Sequence, residues 1–274
     1  MPPSHAHGSH RRIQARGMGG SLRVPERITP WFWITKGLTT AMGEATSDYL
    51  VHAMDPVVAV LLGFAAFVIA LALQLSMRRY VVWTYWLAVV GVGVFGTMAA
   101  DVLHVRFGVP YEVSAALYAA ILAGVFVVWY LTEKTLSIHS VNTTRRELFY
   151  WAAVVSTFAM GTALGDLLAY PLGFGYFSSA ITFAVIILIP ALGYWRLRWS
   201  SVFAFWFAYV MTRPLGASVA DWLSKPKSVG GIALGDGPVA LVLTGLIGLC
   251  VAYMAWTRVD TDRSASISAD SRVW

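Results

Sequence analysis

Four aspartates recur along this chain at one fixed position of a repeated pattern. Each follows a tryptophan by fifteen residues and a glycine by five, as in Trp33 to Asp48, which reads WITKGLTTAMGEATSD. The other three copies are Trp86–Gly96–Asp101, Trp151–Gly161–Asp166 and Trp206–Gly216–Asp221. Every copy lies in an apolar run, where an ionised side chain costs at least about 2.5–3.5 kcal/mol at the centre of a bilayer. Such groups persist where they face a bundle interior or water, and they mark ion pathways and proton relays.

The first copy adds further polar residues to this pattern. Lys36, Thr40, Glu44 and Asp48 are spaced by four, so they form one stripe on a helix. Arg213 and Asp221 belong to a similar stripe in the last copy. Lys36 and Arg213 are expected to hold carboxylates ionised or to act as internal tethered cations. We therefore predict a substrate or ion pathway formed by Lys36, Thr40, Glu44, Asp48, Asp101, Asp166, Arg213 and Asp221.

Two histidines follow their aspartates closely and extend the prediction to a metal. His52 follows Asp48 by four residues, and His104 follows Asp101 by three. Carboxylate and imidazole ligands suit divalent ions such as manganese, iron or zinc. The predicted metal ligands are Glu44, Asp48, Asp101, His52 and His104. Interfacial histidines that simply face water are the alternative.

The elements that carry these residues are predicted to be transmembrane helices. The chain has 274 residues, of which 58% are hydrophobic and 12% charged, and its mean hydropathy is +0.65. Soluble domains carry about 25% charged residues. Apolar runs of about 20 residues match the length that crosses a ~30 Å hydrocarbon core. We predict an all-α integral membrane protein with eight spans, at about 31–53, 57–77, 80–104, 113–131, 148–169, 178–195, 201–223 and 237–256.

Only the odd-numbered spans carry acids. Each of them forms a helical hairpin with the following even-numbered span, which is bland in the sense that its interior has no ionisable residue. The hairpins form one membrane domain, 29–257, of four parallel repeats at about 29–78, 79–140, 145–198 and 199–257. We expect the acid-bearing helices inside and the bland helices towards lipid. Residues 1–28 read as a disordered tail rich in Arg and His, and 258–274 as a second polar tail. Pro214 predicts a kink at the middle of the seventh span.

The basic residues predict the orientation of the spans. Fifteen lie in the two tails and the loops after spans two, four and six, whereas the opposite loops hold three, Arg106, Lys225 and Lys227. Both termini are therefore expected in the cytoplasm. Because the first thirty residues contain no apolar core, we expect no cleavable signal peptide.

Other functional classes find little support in the composition. The single cysteine, Cys250, excludes a disulfide or a cysteine-based metal site within one chain. The net charge of +6 comes from basic residues that lie mostly in the tails and alternate loops, a distribution typical of membrane orientation. We therefore expect no nucleic-acid partner. No HExxH or Ser–His constellation lies at membrane depth, so we expect no enzyme. We expect the lipid bilayer as a partner and no resident cofactor; assembly into a homo-oligomer stays open.

Four segments carry a family resemblance: FWITKGLTTAMGEATSDYL, GTMAADVL, GTALGDLLAY and TRPLGASVADWL. They resemble a bacterial family of membrane-anchored proteins built from four tandem copies of a two-span repeat of unknown function. The resemblance covers about residues 25–257. It implies a multi-pass protein of the bacterial inner membrane, and it brings no activity.

The residues themselves predict a small-cation transporter or channel, with a divalent metal such as manganese, or protons, moving along the carboxylates. Glu44 would be the titrating or coordinating group near the midplane, and the four aspartates would form the outer mouth. The alternative is a non-transporting membrane scaffold in which the intramembrane acid–base pairs hold the hairpins together.

Overall fold

The structure, a computed structural model, describes residues 22–261 and is built there from eight long α-helices and no β-strand. The helices are α1 (Pro30–Ala53), α2 (Pro56–Ser76), α3 (Val82–Asp101), α4 (Tyr111–Glu133), α5 (Thr144–Ala169), α6 (Gly175–Leu197), α7 (Ser201–Ser224) and α8 (Asp236–Thr257). The predicted all-α fold of eight helices is confirmed. Seven of them, α2–α8, are long and apolar enough to cross a membrane. The remaining helix, α1, carries Lys36, Glu44 and Asp48 in its interior.

Side-chain caps and prolines set where the first two helices begin. The Thr29 hydroxyl accepts a hydrogen bond from the backbone N–H of Phe32 at 3.4 Å, and proline is the first residue of α1. A carboxylate oxygen of Asp55 accepts from the N–H groups of Val57 and Val58, again with proline at the start of the helix. Proline suits this position because its missing N–H has no helical partner there. The two caps lie at opposite ends of the first hairpin, so they fix the length of α1 and the depth of its acids.

The eight helices form two concentric layers. In the inner layer α1 packs against α3 and α7, and α5 packs against α3 and α7, so these four helices close a ring. At least 50% of the residues in the apolar windows of α3, α5 and α7 are buried, against at most 28% in α2, α4, α6 and α8. The acid-bearing helices are therefore inside and the bland helices outside, as the repeat pattern predicts.

Each outer helix packs mainly on the inner helix of the following repeat. The close pairs are α2 with α3, α4 with α5 and α6 with α7, and α8 closes the circle on α1. The two helices of one sequence repeat have much less contact with each other. The repeats consequently interlock around the ring, and none of them is a separate packing unit.

The repeated glycines are the close-contact points of the inner ring. A Cβ on Gly43 would lie 2.7 Å from the backbone of Gly93, and a Cβ on Gly96 would lie 2.9 Å from the Cβ of Phe158. A Cβ on Gly161 would lie 2.5 Å from Arg213 Cγ, and a Cβ on Gly216 would lie 2.0 Å from Thr40 Oγ1. The four partners, Thr40, Gly93, Phe158 and Arg213, each follow their own repeat tryptophan by seven residues. One contact therefore repeats four times around the ring, and small residues let the backbones approach there.

Residues 22–28 correct the prediction of a disordered tail over 1–28. Val24 is fully buried, and Arg23 forms an ion pair of 2.9 Å with Glu147 on α5. The backbone N–H of Tyr80 donates to the carbonyl of Leu22 at 2.8 Å. This segment is ordered because it satisfies a buried carboxylate and exposed backbone groups at one end of the ring. Residues 1–21 and 262–274, which hold most of the two predicted tails, lie outside the described residues.

Candidate functional site

The repeat places equivalent residues at one level of the inner ring. Four aspartates, fifteen residues after each tryptophan, form what we call the acid layer: Asp48, Asp101, Asp166 and Asp221. About one helical turn before it lie Glu44, Thr97, Thr162 and Ala217, eleven residues after each tryptophan. Both levels lie towards the C-terminal ends of the inner helices. The candidate site is built on these two levels.

Arg213 links all four inner helices through one nitrogen atom. It is fully buried, and its Nη2 donates to Glu44 Oε2 at 2.6 Å and to Thr162 Oγ1 at 2.7 Å. The hydroxyl oxygen of Thr97 also contacts this nitrogen, so its two hydrogens are shared among three acceptors. Both threonine hydroxyls donate in turn to carbonyls of their own helices, those of Gly93 and Phe158. The three acceptors occupy the same repeat position on α1, α3 and α5, so the guanidinium from α7 bridges the whole ring.

Glu44, Asp48 and Asp221 form the tightest group of carboxylates. One oxygen from each lies within 4.8 Å of the other two, a spacing that could hold a metal ion. Hard cations such as Mg²⁺, Ca²⁺ and Mn²⁺ prefer oxygen ligands of this kind. Two residues of the predicted metal set, Glu44 and Asp48, thus come together, while the third member of this group is Asp221.

The structure does not bring the other predicted metal ligands into this group. The His52 ring is exposed, with Nδ1 2.6 Å from the carbonyl oxygen of Asp48. His104 lies in a π-helical turn, Val102–Arg106, that follows α3 directly. Its Nδ1 is 2.8 Å from the carbonyl oxygen of Val109, and Tyr111 stacks on the ring at 3.6 Å. The predicted site with two histidines is therefore corrected to an all-carboxylate group, because both rings turn back to carbonyls near their own helix ends.

Asp101 and Asp166 complete the acid layer as partly buried carboxylates. Asp101 lies within electrostatic range of Glu44, Asp48 and Asp166. Asp166 is in turn within range of Glu44, Asp48 and Arg213. Like charges at such separations repel unless a cation or a proton lies among them. The acid layer is therefore a connected electrostatic unit.

Lys225, which directly follows α7, is the main counter-charge of the acid layer. Its ammonium forms an ion pair with Asp48 and lies 3.9 Å from Asp221 Oδ1 and 3.7 Å from Asp236 Oδ1. Burial alone would lower the pKa of Lys225, but the carboxylates of Asp48 and Asp221 outweigh it and raise the pKa above its usual value. The side chain is therefore a firmly charged cation held at the mouth of the site.

Lys36 and Thr40, two predicted pathway residues, lie deeper and make different contacts. Lys36 is fully buried, and its Nζ has no hydrogen-bond partner among the described residues. It lies 4.3 Å from the ring centres of both Phe158 and Tyr209, a cation–π arrangement. The Thr40 hydroxyl donates to the carbonyls of Gly37 at 2.7 Å and Thr212 at 3.3 Å. Lys36 thus contacts no carboxylate among the described residues, and Thr40 joins α1 to α7.

The N-terminal half of the ring is closed by aromatic side chains. Tyr85, Trp86, Tyr150 and Trp151 are all buried, and the hydroxyls of Tyr85 and Tyr150 are 2.6 Å apart. These rings form edge-on contacts with one another, such as that of Tyr85 with Trp86 at 5.3 Å. The acid layer is therefore separated from this end of the ring by a tightly packed section.

Two lateral grooves lie outside the ring and leave the acid layer untouched. The larger, of about 630 Å³, lies among α1, α6, α7 and residues 136–139. The smaller, of about 320 Å³, lies among α1, α2 and α3. Neither is lined by any of the carboxylates described above. Neither groove therefore contributes to the candidate site.

Lys225 and Asp236 are the site residues that the sequence patterns missed. Both lie in or next to the connection from α7 to α8, which reads as a plain Gly-rich linker. One signal was available, because Lys225 follows Asp221 by four residues and faces the same side of a helix. The approach of Asp236 depends on how the connection folds, and no local pattern encodes it.

The comparisons with known proteins agree with the repeat architecture. A family model described as Repeat of Unknown Function (DUF347) matches four times, at residues 31–80, 84–135, 149–199 and 204–260. Each match spans one inner helix and the outer helix that follows it. Searches of curated proteins and of solved structures find no match. The predicted resemblance to a four-repeat family is confirmed, and the chain belongs to the DUF347 family of repeats of unknown function.

Proposed function

We propose that this chain is a multi-pass membrane protein of a bacterial inner membrane, with all eight helices spanning and both termini in the cytoplasm. α1 can span despite its charges because the ring shields them: Lys36 is fully buried and Glu44 nearly so. The even number of spans agrees with the distribution of basic residues, fifteen on the proposed cytoplasmic side against three outside. In this orientation the acid layer opens to the periplasm.

We further propose that the protein transports a small cation through the carboxylate site. The cation is either a divalent metal such as manganese or a cation whose movement is coupled to protons. The observation that carries this proposal is an excess of negative charge on buried and partly buried carboxylates. Six carboxylates, those of Glu44, the acid layer and Asp236, share two cationic partners, Arg213 and Lys225. A bound cation would offset the remaining repulsion, and uncompensated charge is expensive away from water.

Unused oxygen atoms near the acids support a cation ligand. The hydroxyls of Ser47 and Ser218 are buried and have no hydrogen-bond partner among the described residues. Ser47 directly precedes Asp48, and Ser218 lies three residues before Asp221, on the same face of α7. Buried polar groups normally have partners. A hard cation or its bound water would supply one at this level of the ring.

The closed aromatic half suggests a carrier with alternating access. A cation that enters the acid layer from the periplasm meets Arg213 and then the packed rings around Phe158. Passage therefore requires inner helices to move, in contrast to an open channel. Pro214 frees one backbone carbonyl in α7 and gives this helix a weak point beside Arg213.

A scaffold without transport is the second candidate, and the Arg213 contacts favour it specifically. One buried guanidinium that joins α1, α3, α5 and α7 is also what a purely structural cross-link would provide. A scaffold would lose stability on removal of these charges, and no ion flux would depend on them.

Uptake of Mn²⁺ into proteoliposomes, with internal pH followed by a dye, distinguishes the two candidates. We expect E44Q and D221N to abolish uptake while the proteins still insert and purify as folded species. The matched control is D55N, because Asp55 is an exposed carboxylate that caps α2, and asparagine caps equally well. Normal uptake by both E44Q and D221N would refute the transport proposal, and stability losses without flux in the wild type would support the scaffold.

A further inference from the structure

The ammonium of Lys225 occupies a position that a free cation would also favour. It pairs with Asp48, and its distances to Asp221 and Asp236 are 3.9 and 3.7 Å. Two of these carboxylates, Asp48 and Asp221, also belong to the group whose oxygens lie within 4.8 Å of one another. A metal ion bound by that group would therefore share its ligands with Lys225.

The backbone around Lys225 holds it there. The segment 231–235 folds back on the end of α7, where the N–H groups of Ile232, Leu234 and Gly235 donate to the carbonyls of Trp222, Leu223 and Ser224 at 2.7–3.1 Å. The N–H of Ala233 donates to the carbonyl of Lys225 itself at 2.9 Å. These bonds satisfy the last carbonyls of the helix, which otherwise lack partners. Lys225 therefore starts from a fixed backbone, and only its side chain needs to move to vacate the site.

Competition with a tethered ammonium affects monovalent and divalent ions differently. A monovalent ion that displaces Lys225 replaces one positive charge with another and gains no charge compensation among the carboxylates. A divalent ion brings one more charge than it displaces, and the Coulomb energy of each unit charge at about 4 Å is several kcal/mol at an effective dielectric constant of about 20. The tethered lysine thus penalises monovalent ions relative to divalent ones.

We propose that Lys225 is a specificity-determining residue: a tethered competitor at the carboxylate site that must be displaced by the incoming cation and that selects divalent over monovalent ions. This inference rests on the proposed cation function and adds how the site discriminates. Lys225 would then have two positions, one on the carboxylates in the ion-free protein and one towards solvent in the loaded protein.

Titration calorimetry of the purified full-length protein in lipid nanodiscs tests the proposal, with Mn²⁺ as the probe and Na⁺ as competitor. We expect K225M to bind Mn²⁺ at least about tenfold more tightly than the wild type and to be inhibited by lower Na⁺ concentrations. K225R, which keeps the charge, should bind like the wild type. The matched control is K227M, because Lys227 is an exposed lysine of the same connection. Thermal unfolding checks that each variant is folded.

Each outcome of this experiment has a separate meaning. Unchanged or weaker Mn²⁺ binding by folded K225M would overturn the role of Lys225 while leaving the cation site in place. Equal tightening in K225M and K227M would also overturn it, because surface charge in general would then be responsible. Absence of Mn²⁺ binding in the wild type and in every variant would refute the cation site itself, and this inference with it.

Discussion

The buried pair of Arg213 and Glu44 gives the sharpest prediction for stability. In R213M, Glu44 loses its partner and stays 4% exposed, in a region already rich in carboxylates. Removing one partner of a buried ion pair costs about 3–5 kcal/mol. The hydroxyls of Thr97 and Thr162 keep their own carbonyl acceptors, so they add little to this cost. For a chain of this size the loss corresponds to a decrease in Tm of about 6–20 °C.

The reverse substitution should be milder. In E44M, Arg213 keeps its hydrogen bonds to Thr97 and Thr162 and remains within electrostatic range of Asp101 and Asp166. We expect a loss of about 1–3 kcal/mol, in the range of one hydrogen bond to a charged group. The double variant R213M/E44M removes both charges and should recover most of the loss, because a buried pair exchanged for apolar side chains is often neutral.

Thermal unfolding in detergent, with the four proteins compared as a double-mutant cycle, provides the measurement. R196M is the matched control, since Arg196 is exposed on α6 and surface changes stay within about 0.5 kcal/mol. Two results would refute the reasoning. One is R213M within about 1 kcal/mol of the wild type, and the other is a double variant whose loss equals the sum of the single losses.

Three further predictions concern packing, the N-terminal segment and pH. G216A should lose about 1–3 kcal/mol of stability, because its Cβ would lie 2.0 Å from an atom of α1. G37A, whose Cβ would have no atom within 4 Å, should be neutral or slightly stabilised. Thermal unfolding tests both variants. E147Q should be cleaved faster by trypsin after Arg23, because the buried carboxylate that pairs with this arginine at 2.9 Å loses its charge. Cleavage at the wild-type rate would contradict this role of Glu147. Because the pKa of Lys225 is raised, its stabilising charge is fully present below its ordinary pKa of about 10.4 and is lost only as the pH rises through the still higher value in the folded protein. The difference in Tm between wild type and K225M should therefore not decrease as the pH rises from roughly 6 to 9, and a decrease across this window would show that the ammonium loses its proton there.

The helices and their layering follow from features that the sequence carries locally. Apolar runs of about 20 residues predicted all eight helices, and most of their ends agree within about three residues of the structure. The fixed spacing of Trp, Gly and Asp predicted equivalent inner helices, because residues at one repeat position share one level. The ring contact of Gly216 with Thr40 illustrates this, since it repeats the contact of Gly43 with Gly93.

Contacts between helices were predictable only in part. Acid–base pairs between hairpins are part of the scaffold alternative, and the structure pairs Arg213 with Glu44. For Lys36 the sequence left open whether it contacts a carboxylate or acts as a tethered cation. It lies two turns before Glu44 on α1, where the neighbouring helices offer Phe158 and Tyr209. Spacing along one helix gives the depth of a side chain, whereas its partner depends on the rotation of three other helices.

The residues at helix ends were the least predictable. His52 and His104 follow acids at helical spacing, yet both rings lie against carbonyls near the ends of their helices. The π-helical turn after Asp101 also changes the direction of the side chains that follow it. Lys225 enters the site because the connection after α7 folds back on the helix. Loop geometry of this kind depends on tertiary contacts, which a periodic pattern does not contain.

Anomalous diffraction from crystals soaked in Mn²⁺ would test the proposed cation site most directly. We expect a single strong manganese peak at coordination distance from Glu44, Asp48 and Asp221, with the Lys225 side chain displaced from its position in the ion-free structure. D221N crystals treated in the same way should lose the peak. A wild-type map without manganese at these carboxylates, or with manganese bound only at His52 or His104, would contradict the proposal.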